Sequence, residues 1–105
     1  MPSRPFSVCV EAETAIEAFQ IATQKARLFY GITGFTGTIA EKKRVVVITP
    51  PHSMTDADKK DWVKALLNKS SGDPSLDWVT DAWSPAAAVQ LDAGGWILFG
   101  WALSY

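Results

Sequence analysis

The C-terminal segment GGWILFGWALSY, residues 94–105, constrains the fold more than any other part of the chain. Its twelve residues include four aromatic side chains and no charged one. Alternate side chains of a β-strand point to opposite faces, so the sequence defines both faces of a strand over 96–104. Both faces are apolar, with Trp96, Leu98, Gly100 and Ala102 on one and Ile97, Phe99, Trp101 and Leu103 on the other. A strand of this composition is typical of a sheet that is covered on both faces.

Capping signals and a helical period predict two α-helices. The spacing of Thr14 and Glu17 is that of a capping box and begins a helix that continues to about Tyr30. Acidic residues in the turn after Thr55 begin a second helix, which ends near Lys69. The core-facing stripe of the first helix is predicted to consist of Ile16, Phe19, Ala22, Ala26 and Phe29.

Alternating or β-rich runs predict four further strands, over residues 6–11, 35–40, 44–49 and 77–83. The second and third of these are expected to form a hairpin. Its polar connection includes Lys42, Lys43 and Arg44, which we expect to be a solvated basic turn. The single cysteine, Cys9, lies in the first strand and is expected to be a small buried apolar residue.

Residues 84–93 admit two interpretations. Ser84, Pro85 and Gly94 fit the caps of a short helix. Alternatively, residues 88–91 form a strand, and 92–95 turn the chain into the C-terminal strand. The capping residues slightly favour the helix or a mixed segment.

The order of these elements predicts a single α+β domain over residues 1–105. The order is βαββαβ with an extra C-terminal strand, which favours a ferredoxin-like two-layer sandwich with an antiparallel or mixed sheet. Its helices would cover only one face of the sheet, although the C-terminal strand is apolar on both faces. We therefore expect residues 84–93, a second copy of the chain or a ligand to supply a further layer. A homo-oligomer, most simply a dimer, is the favoured solution.

Tryptophan is unusually frequent, with five in the chain, and it is enriched at interfaces because it combines a large apolar face with one N–H donor. Trp62 is expected to fill the core beneath the second helix. Two apolar residues of the first helix lie away from its core stripe and also indicate a contact surface. The predicted ligand or interface residues are Trp78, Trp83, Trp96, Leu98, Phe99, Trp101, Ile21 and Leu28.

Candidate catalytic residues are few. His52 is the only histidine and lies in a proline-rich loop, while Tyr30 and Asp81 could act beside an aromatic pocket. No spacing of histidine, cysteine or carboxylate residues indicates a metal site. The glycines of GITGFTG, residues 31–37, follow a helix and precede a strand, which is the reverse of a dinucleotide-binding loop. We predict no metal and no cofactor.

The charge balance disfavours two classes of partner. A net charge of −1 creates no long-range attraction for nucleic acid or for an anionic membrane. The longest apolar stretch is shorter than the ~20 residues of a membrane-spanning helix, and the N-terminus does not resemble a signal peptide. We therefore expect a soluble, cytoplasmic protein.

Two functions fit these features. The first is a non-enzymatic, self-associating binding module with an apolar, tryptophan-rich sheet face or pocket for a small apolar ligand or a protein partner. The alternative is a small cofactor-free enzyme of an oligomeric α+β type that uses the same aromatic pocket.

Overall fold

A computed structural model describes residues 3–30, 37–68 and 74–103 of the chain. The strands form one mixed sheet in the order β1-β4-β3-β2, in which β2 and β3 are parallel and the other pairs antiparallel. The α+β class is therefore confirmed, but the ferredoxin-like order is not. In chain order the elements are β1 (Ser3–Val10), α1 (Ala15–Tyr30), a 3-10 helix (Ile39–Glu41), β2 (Val45–Val47), α2 (Asp56–Leu67), a second 3-10 helix (Pro74–Thr80), β3 (Ala86–Gln90) and β4 (Trp96–Leu103).

The two α-helices lie on opposite faces of the sheet. On one face α1 packs against the even-numbered side chains of β3 and β4, and on the other face α2 packs against the odd-numbered ones together with the 3-10 helix Pro74–Thr80. The chain therefore forms three layers, whereas the two-layer prediction placed both helices on one face. Strands β1, β2 and β3 are parallel to one another, and the chain moves across the sheet from β1 to β2 and then back to β3. Crossovers between parallel strands are right-handed, so two crossovers in opposite directions place their helices on opposite faces.

Strand β4 is the doubly covered strand that the sequence predicts. Leu98 and Phe99 point to opposite faces, and each is 0% exposed. The further layer that we expected from a second copy, a ligand or residues 84–93 is supplied by α2 and the 3-10 helix Pro74–Thr80. Residues 84–93 instead contain β3 and the turn to β4. Their second interpretation is confirmed, and the favoured helix is wrong.

Two predicted strands contain 3-10 helices instead. In the first, Thr38 caps Ile39–Glu41, because its Oγ1 accepts a hydrogen bond from the Ala40 N–H at 3.2 Å; residues 35–36 lie outside the described ranges. The second, Pro74–Thr80, covers the first half of the predicted strand 77–83. A 3-10 helix has three residues per turn, so Leu76 and the buried Val79 lie on the same side of it. In a strand, residues two apart would share a face. Without a strand at 39–40, β2 pairs in parallel with β3 and not in the predicted hairpin.

Helix α1 begins where predicted, but a different stripe faces the core. The Glu17 N–H donates to Thr14 Oγ1 at 3.1 Å, as a capping box requires. Ile16 and Phe29, both predicted to be in the core, are 65% and 83% exposed. The buried stripe consists of Ala15, Ala18, Ala22 and Ala26, of which Ala22 and Ala26 belong to the predicted stripe.

Lys42 is buried, contrary to the prediction of a solvated turn. Its Nζ donates to the backbone carbonyls of Ser84 at 2.6 Å and Ala82 at 3.1 Å, with a longer contact of 3.5 Å to that of Asp81. Burial lowers the pKa of the Lys42 ammonium from its ordinary value of 10.5, and the Asp81 carboxylate partly opposes this effect. The buried ammonium fastens the loop that precedes β3, while Lys43 and Arg44 are exposed.

The start of α2 is fastened to the β3–β4 turn. The Asp56 carboxylate accepts the N–H groups of Asp92 at 2.7 Å and Ala93 at 3.0 Å. The bond from Asp92 is the main reason that the pKa of Asp56 lies below its ordinary value. Lys59 donates to the Gln90 carbonyl and to Asp92 Oδ1 at 3.0 and 3.2 Å. In the same turn Gly95 has a φ of 119°, and a Cβ there would lie 2.7 Å from the Val10 carbonyl oxygen.

Candidate functional site

The predicted site residues of β4 belong to the core of the chain. Trp96 is 7% exposed, and Leu98 and Phe99 are fully buried. Trp96 and Leu98 pack beneath α1, whereas Phe99 packs beneath α2. These three side chains therefore do not share a surface that a partner could reach while the fold is intact.

The other tryptophans of the predicted site lie in different parts of the molecule. Trp78 and Trp101 are half-buried at the margin of the α2-side core, where Trp62 also packs. The Trp101 indole N–H donates to the Leu67 carbonyl at the end of α2, at 2.9 Å. Trp83 is 78% exposed on the loop before β3. The aromatic side chains are thus divided between two sheet faces and a loop.

The described side chains of the candidate catalytic residues show no common site. His52 is exposed in the loop before α2. Asp81 Oδ1 accepts the backbone N–H of Trp83 at 2.9 Å, which gives this carboxylate a role in the loop. The side chain of Tyr30 lies outside the described part of the structure. Within that part, no group of three or more His, Cys, Asp or Glu residues could hold a metal ion.

One hydrogen-bonding surface of the sheet is the outer edge of β1. β1 pairs with β4 on one side, and no other described strand pairs with its second side. The hydrogen bonds of the sheet, followed from β3 to β1, show which residues of β1 point their N–H and C=O groups to this open edge. The Ala86 N–H donates to the Arg44 carbonyl, and the Ala88 carbonyl accepts from the Ile48 N–H. The N–H and C=O groups of the even-numbered β3 residues therefore point to β2.

Along a strand these backbone groups point alternately to one neighbouring strand and to the other, which determines their direction in β4 and β1. The backbone of Ala87 faces β4, where its partner is Phe99, so Phe99 exchanges its hydrogen bonds with β3 and not with β1. Ser7, which lies opposite Phe99 on β1, must therefore point its N–H and C=O away from β4. Cys9, opposite Ile97, does the same. Pro5 has this parity too, and a proline belongs where the missing N–H faces an open edge.

A groove of about 780 Å³ lies between β1 and α1, directly beside this edge. Its apolar surface is formed by Ala22 and Ala26 of α1, by Ile39, and by the half-buried side chains of β1, which are Phe6, Val8 and Val10. The Phe6 ring lies over Gly100 of β4, where an added Cβ would be 3.3 Å from the ring. The groove thus combines a strand edge, whose backbone groups pair with no other described strand, with an apolar floor of alternate side chains.

The charged side chains that line the groove are both basic. Arg4 lies at the start of β1 and Lys25 lies in the second half of α1, and both are exposed. The described residues lining the groove include no acidic side chain. This end of the groove is therefore electropositive, although the whole chain carries a net charge of −1.

Two residues predicted as contacts on α1 extend this surface. Ile21, Lys25 and Leu28 are spaced by four and three residues and so lie along one side of the helix. Because Lys25 lines the groove, Ile21 and Leu28 lie on the flank of α1 that borders it. Ile21 is half-buried, and Leu28 is 85% exposed. Of the eight predicted contact residues, these two lie beside the groove.

Sequence reasoning missed the groove, although one signal was present. Pro5 within the alternating run Phe6, Val8, Val10 indicates an edge strand. The same position explains why Cys9, predicted to be buried, is exposed. Its side chain points to the α2 side of the sheet, where the described layer packs against β3 and β4 and leaves β1 uncovered.

No helix in the described part of the chain is both long and apolar enough to cross a membrane. No protein-family model matches the sequence, and no curated protein or solved structure is significantly similar to it. The β1–α1 groove and its neighbouring residues are therefore the candidate functional site.

Proposed function

We propose that the protein is a non-enzymatic binding module that captures an extended protein segment by strand addition along β1. The observation that carries this proposal is the open edge of β1 beside an apolar groove. In strand addition, backbone hydrogen bonds to a sheet edge provide affinity, and pockets for alternate side chains provide specificity. Ser7 and Cys9 offer the backbone groups, and the β1–α1 groove offers the apolar surface.

The structure limits the length and chemistry of the segment that fits. Pro5 has no N–H, so the edge offers its full set of donors and acceptors from Ser7 to Cys9 and only an acceptor at Pro5. A bound strand places every second side chain on the α1 face, beside Phe6, Val8 and Val10, where apolar side chains are favoured. Near Arg4 and Lys25 an acidic side chain is favoured by charge.

A substitution at the edge tests this function. Ser7→Pro removes the N–H that points away from β4 and leaves the ladder between β1 and β4 intact, as Pro5 already does two residues earlier. Peptides selected from a random library displayed on phage should bind the wild type, as measured by fluorescence anisotropy. Their affinity should fall at least about tenfold in Ser7→Pro, which loses both a hydrogen bond and strand alignment.

The matched control is Ser7→Thr, which keeps the N–H and a strand-forming side chain and should bind like the wild type. Urea unfolding of all three proteins establishes that the variants are folded. Equal binding to Ser7→Pro, or a failure to select any peptide, would contradict strand addition at β1.

A further inference from the structure

We propose that the extended segment bound at this site is β1 of a second copy of the chain. The two copies pair antiparallel about a twofold axis perpendicular to the sheet and join two four-stranded sheets into one. This inference rests on the proposed strand-addition function and names the occupant of the same groove. Three features of the described residues support it.

The first feature is that β1 has the pattern that its own groove requires. Three of its four even-numbered residues, Phe6, Val8 and Val10, are apolar and face the α1 side, and each is only half-buried in one copy. Across the twofold axis, outward-facing Ser7 and Cys9 pair with residues of the same odd parity. The even-numbered side chains of both strands then lie on the same face and form one continuous apolar floor.

The second feature is a separation of charge along β1 and α1, the two elements that flank the groove. The end of β1 and the start of α1 carry exposed acidic residues, which are Glu11, Glu13 and Glu17. The opposite end carries exposed basic residues, which are Arg4, Lys25 and Arg27. These basic residues share one end because α1 returns towards the start of β1. The Gly37 N–H, seven residues after α1 ends, donates at 2.8 Å to the Leu103 carbonyl, and Leu103 pairs with Ser3.

Antiparallel pairing places the basic end of each copy against the acidic end of the other. Complementary charges across an interface favour this orientation, whereas parallel pairing would place like charges opposite one another. In a twofold dimer this contact between a basic end and an acidic end occurs twice, because both copies use the same surface. The charge pattern therefore selects both the partner and its direction.

The third feature is the apolar flank of α1. The twofold axis leaves both α1 helices on the same face of the joined sheet, one on either side of the merged groove. Their facing flanks carry Ile21 and Leu28, and Phe29, which also lines the groove, is 83% exposed in a single copy. Large apolar side chains that are exposed along one surface mark an interaction site. Dimerisation through β1 would cover them.

Charge exchange provides the test. The variant Arg4→Glu with Lys25→Glu has two acidic ends, and Glu11→Lys with Glu13→Lys has two basic ends. In sedimentation equilibrium at low ionic strength the wild type should dimerise, and each variant alone should have a dissociation constant at least about tenfold higher. An equimolar mixture of the two variants should recover dimers, because each charged end again meets its complement. High salt should weaken the wild-type dimer.

The Ser7 variants distinguish a failure of the dimer from a failure of strand addition, the function on which this inference rests. Ser7→Pro should be a folded monomer, and Ser7→Thr should remain a dimer. A wild type that stays monomeric at near-millimolar concentration overturns the second copy as occupant, but strand addition survives if selected peptides still require the Ser7 N–H. A wild-type dimer that persists unchanged in Ser7→Pro also overturns the inference, since the copies then meet elsewhere. A variant mixture that fails to dimerise overturns the antiparallel arrangement.

Discussion

Phe99→Ala should lower the free energy of unfolding by about 3–5 kcal/mol, and Leu98→Ala should lower it by about 2–5 kcal/mol. These neighbours point to opposite faces of β4, and each is completely buried, one beneath α2 and the other beneath α1. Removing either side chain leaves a cavity in one of two separate cores. Urea denaturation monitored by tryptophan fluorescence measures both losses. Because a small domain is stable by only ~5–15 kcal/mol, either variant approaches the limit of folding.

Leu28→Ala is the matched control, since Leu28 is 85% exposed on α1. Its effect on a single copy should lie within about 0.5 kcal/mol. All three variants are compared in the Ser7→Pro background, in which we expect no dimer. A small loss for Leu98→Ala beside a large one for Phe99→Ala would mean that only one face of β4 is covered, contrary to the three-layer fold.

Lys42→Met should lower the free energy of unfolding by about 1.5–3 kcal/mol, the range for hydrogen bonds made by a charged group. Methionine retains most of the apolar stem but leaves the carbonyls of Ala82 and Ser84 without their ammonium partner. Lys43→Met is the control, because Lys43 is the exposed neighbour and should contribute little. Equal effects of the two substitutions would contradict the buried position of Lys42.

The pH dependence gives the Lys42 comparison a second readout. Burial lowers the pKa of Lys42 below 10.5 in the folded chain, so between these two pKa values the unfolded chain binds more protons. Stability rises with pH wherever the unfolded state binds more protons. The difference in unfolding free energy between wild type and Lys42→Met should therefore widen as the pH increases towards 10.5. A difference that narrows over this interval would mean that folding raises the pKa.

The sequence predicts well those elements whose signals are local. The caps at Thr14 and Thr55 place both α-helices, because each cap bonds an N–H three residues along the chain. The two apolar faces of 96–103 predict a doubly covered strand. These signals depend on backbone geometry within a few residues, so they do not require knowledge of the fold.

The sequence does not predict the burial of a side chain when that burial depends on partners distant in the chain. Lys42 resembles its neighbours in a basic turn, and only the carbonyls almost forty residues away explain its burial. Likewise, the helical period of α1 predicts a core stripe of Ile16, Phe19, Ala22, Ala26 and Phe29. Ala22 and Ala26 do face the core, but Ile16 and Phe29 are exposed, and Ala15 and Ala18 complete the buried stripe. Which stripe meets the sheet depends on the strands that pack against it, and the helical period does not specify them.

Dependence on distant partners also explains why the contact site was predicted on β4 and not beside β1. An apolar strand with two tryptophans looks like an interface until its own chain supplies both covering layers. The groove beside β1, by contrast, depends on strand order, and Pro5 is the one local signal that β1 lies at the edge of the sheet. Among the residues predicted as contacts, Ile21 and Leu28 border this groove. Helical periodicity alone is enough to predict that they lie away from the core stripe of α1.

Amide hydrogen exchange of β1, followed by NMR, tests the open edge most directly. In dilute protein the amides of Ser7 and Cys9 should exchange rapidly, because they point away from β4, whereas those of Phe6 and Val8 should be protected by the β1–β4 ladder. Adding a selected peptide, or raising the concentration of the chain, should slow exchange at Ser7 and Cys9 and leave the other two unchanged. Protection of Ser7 and Cys9 already in the dilute monomer, or rapid exchange of both under every condition, would contradict a binding site at this edge.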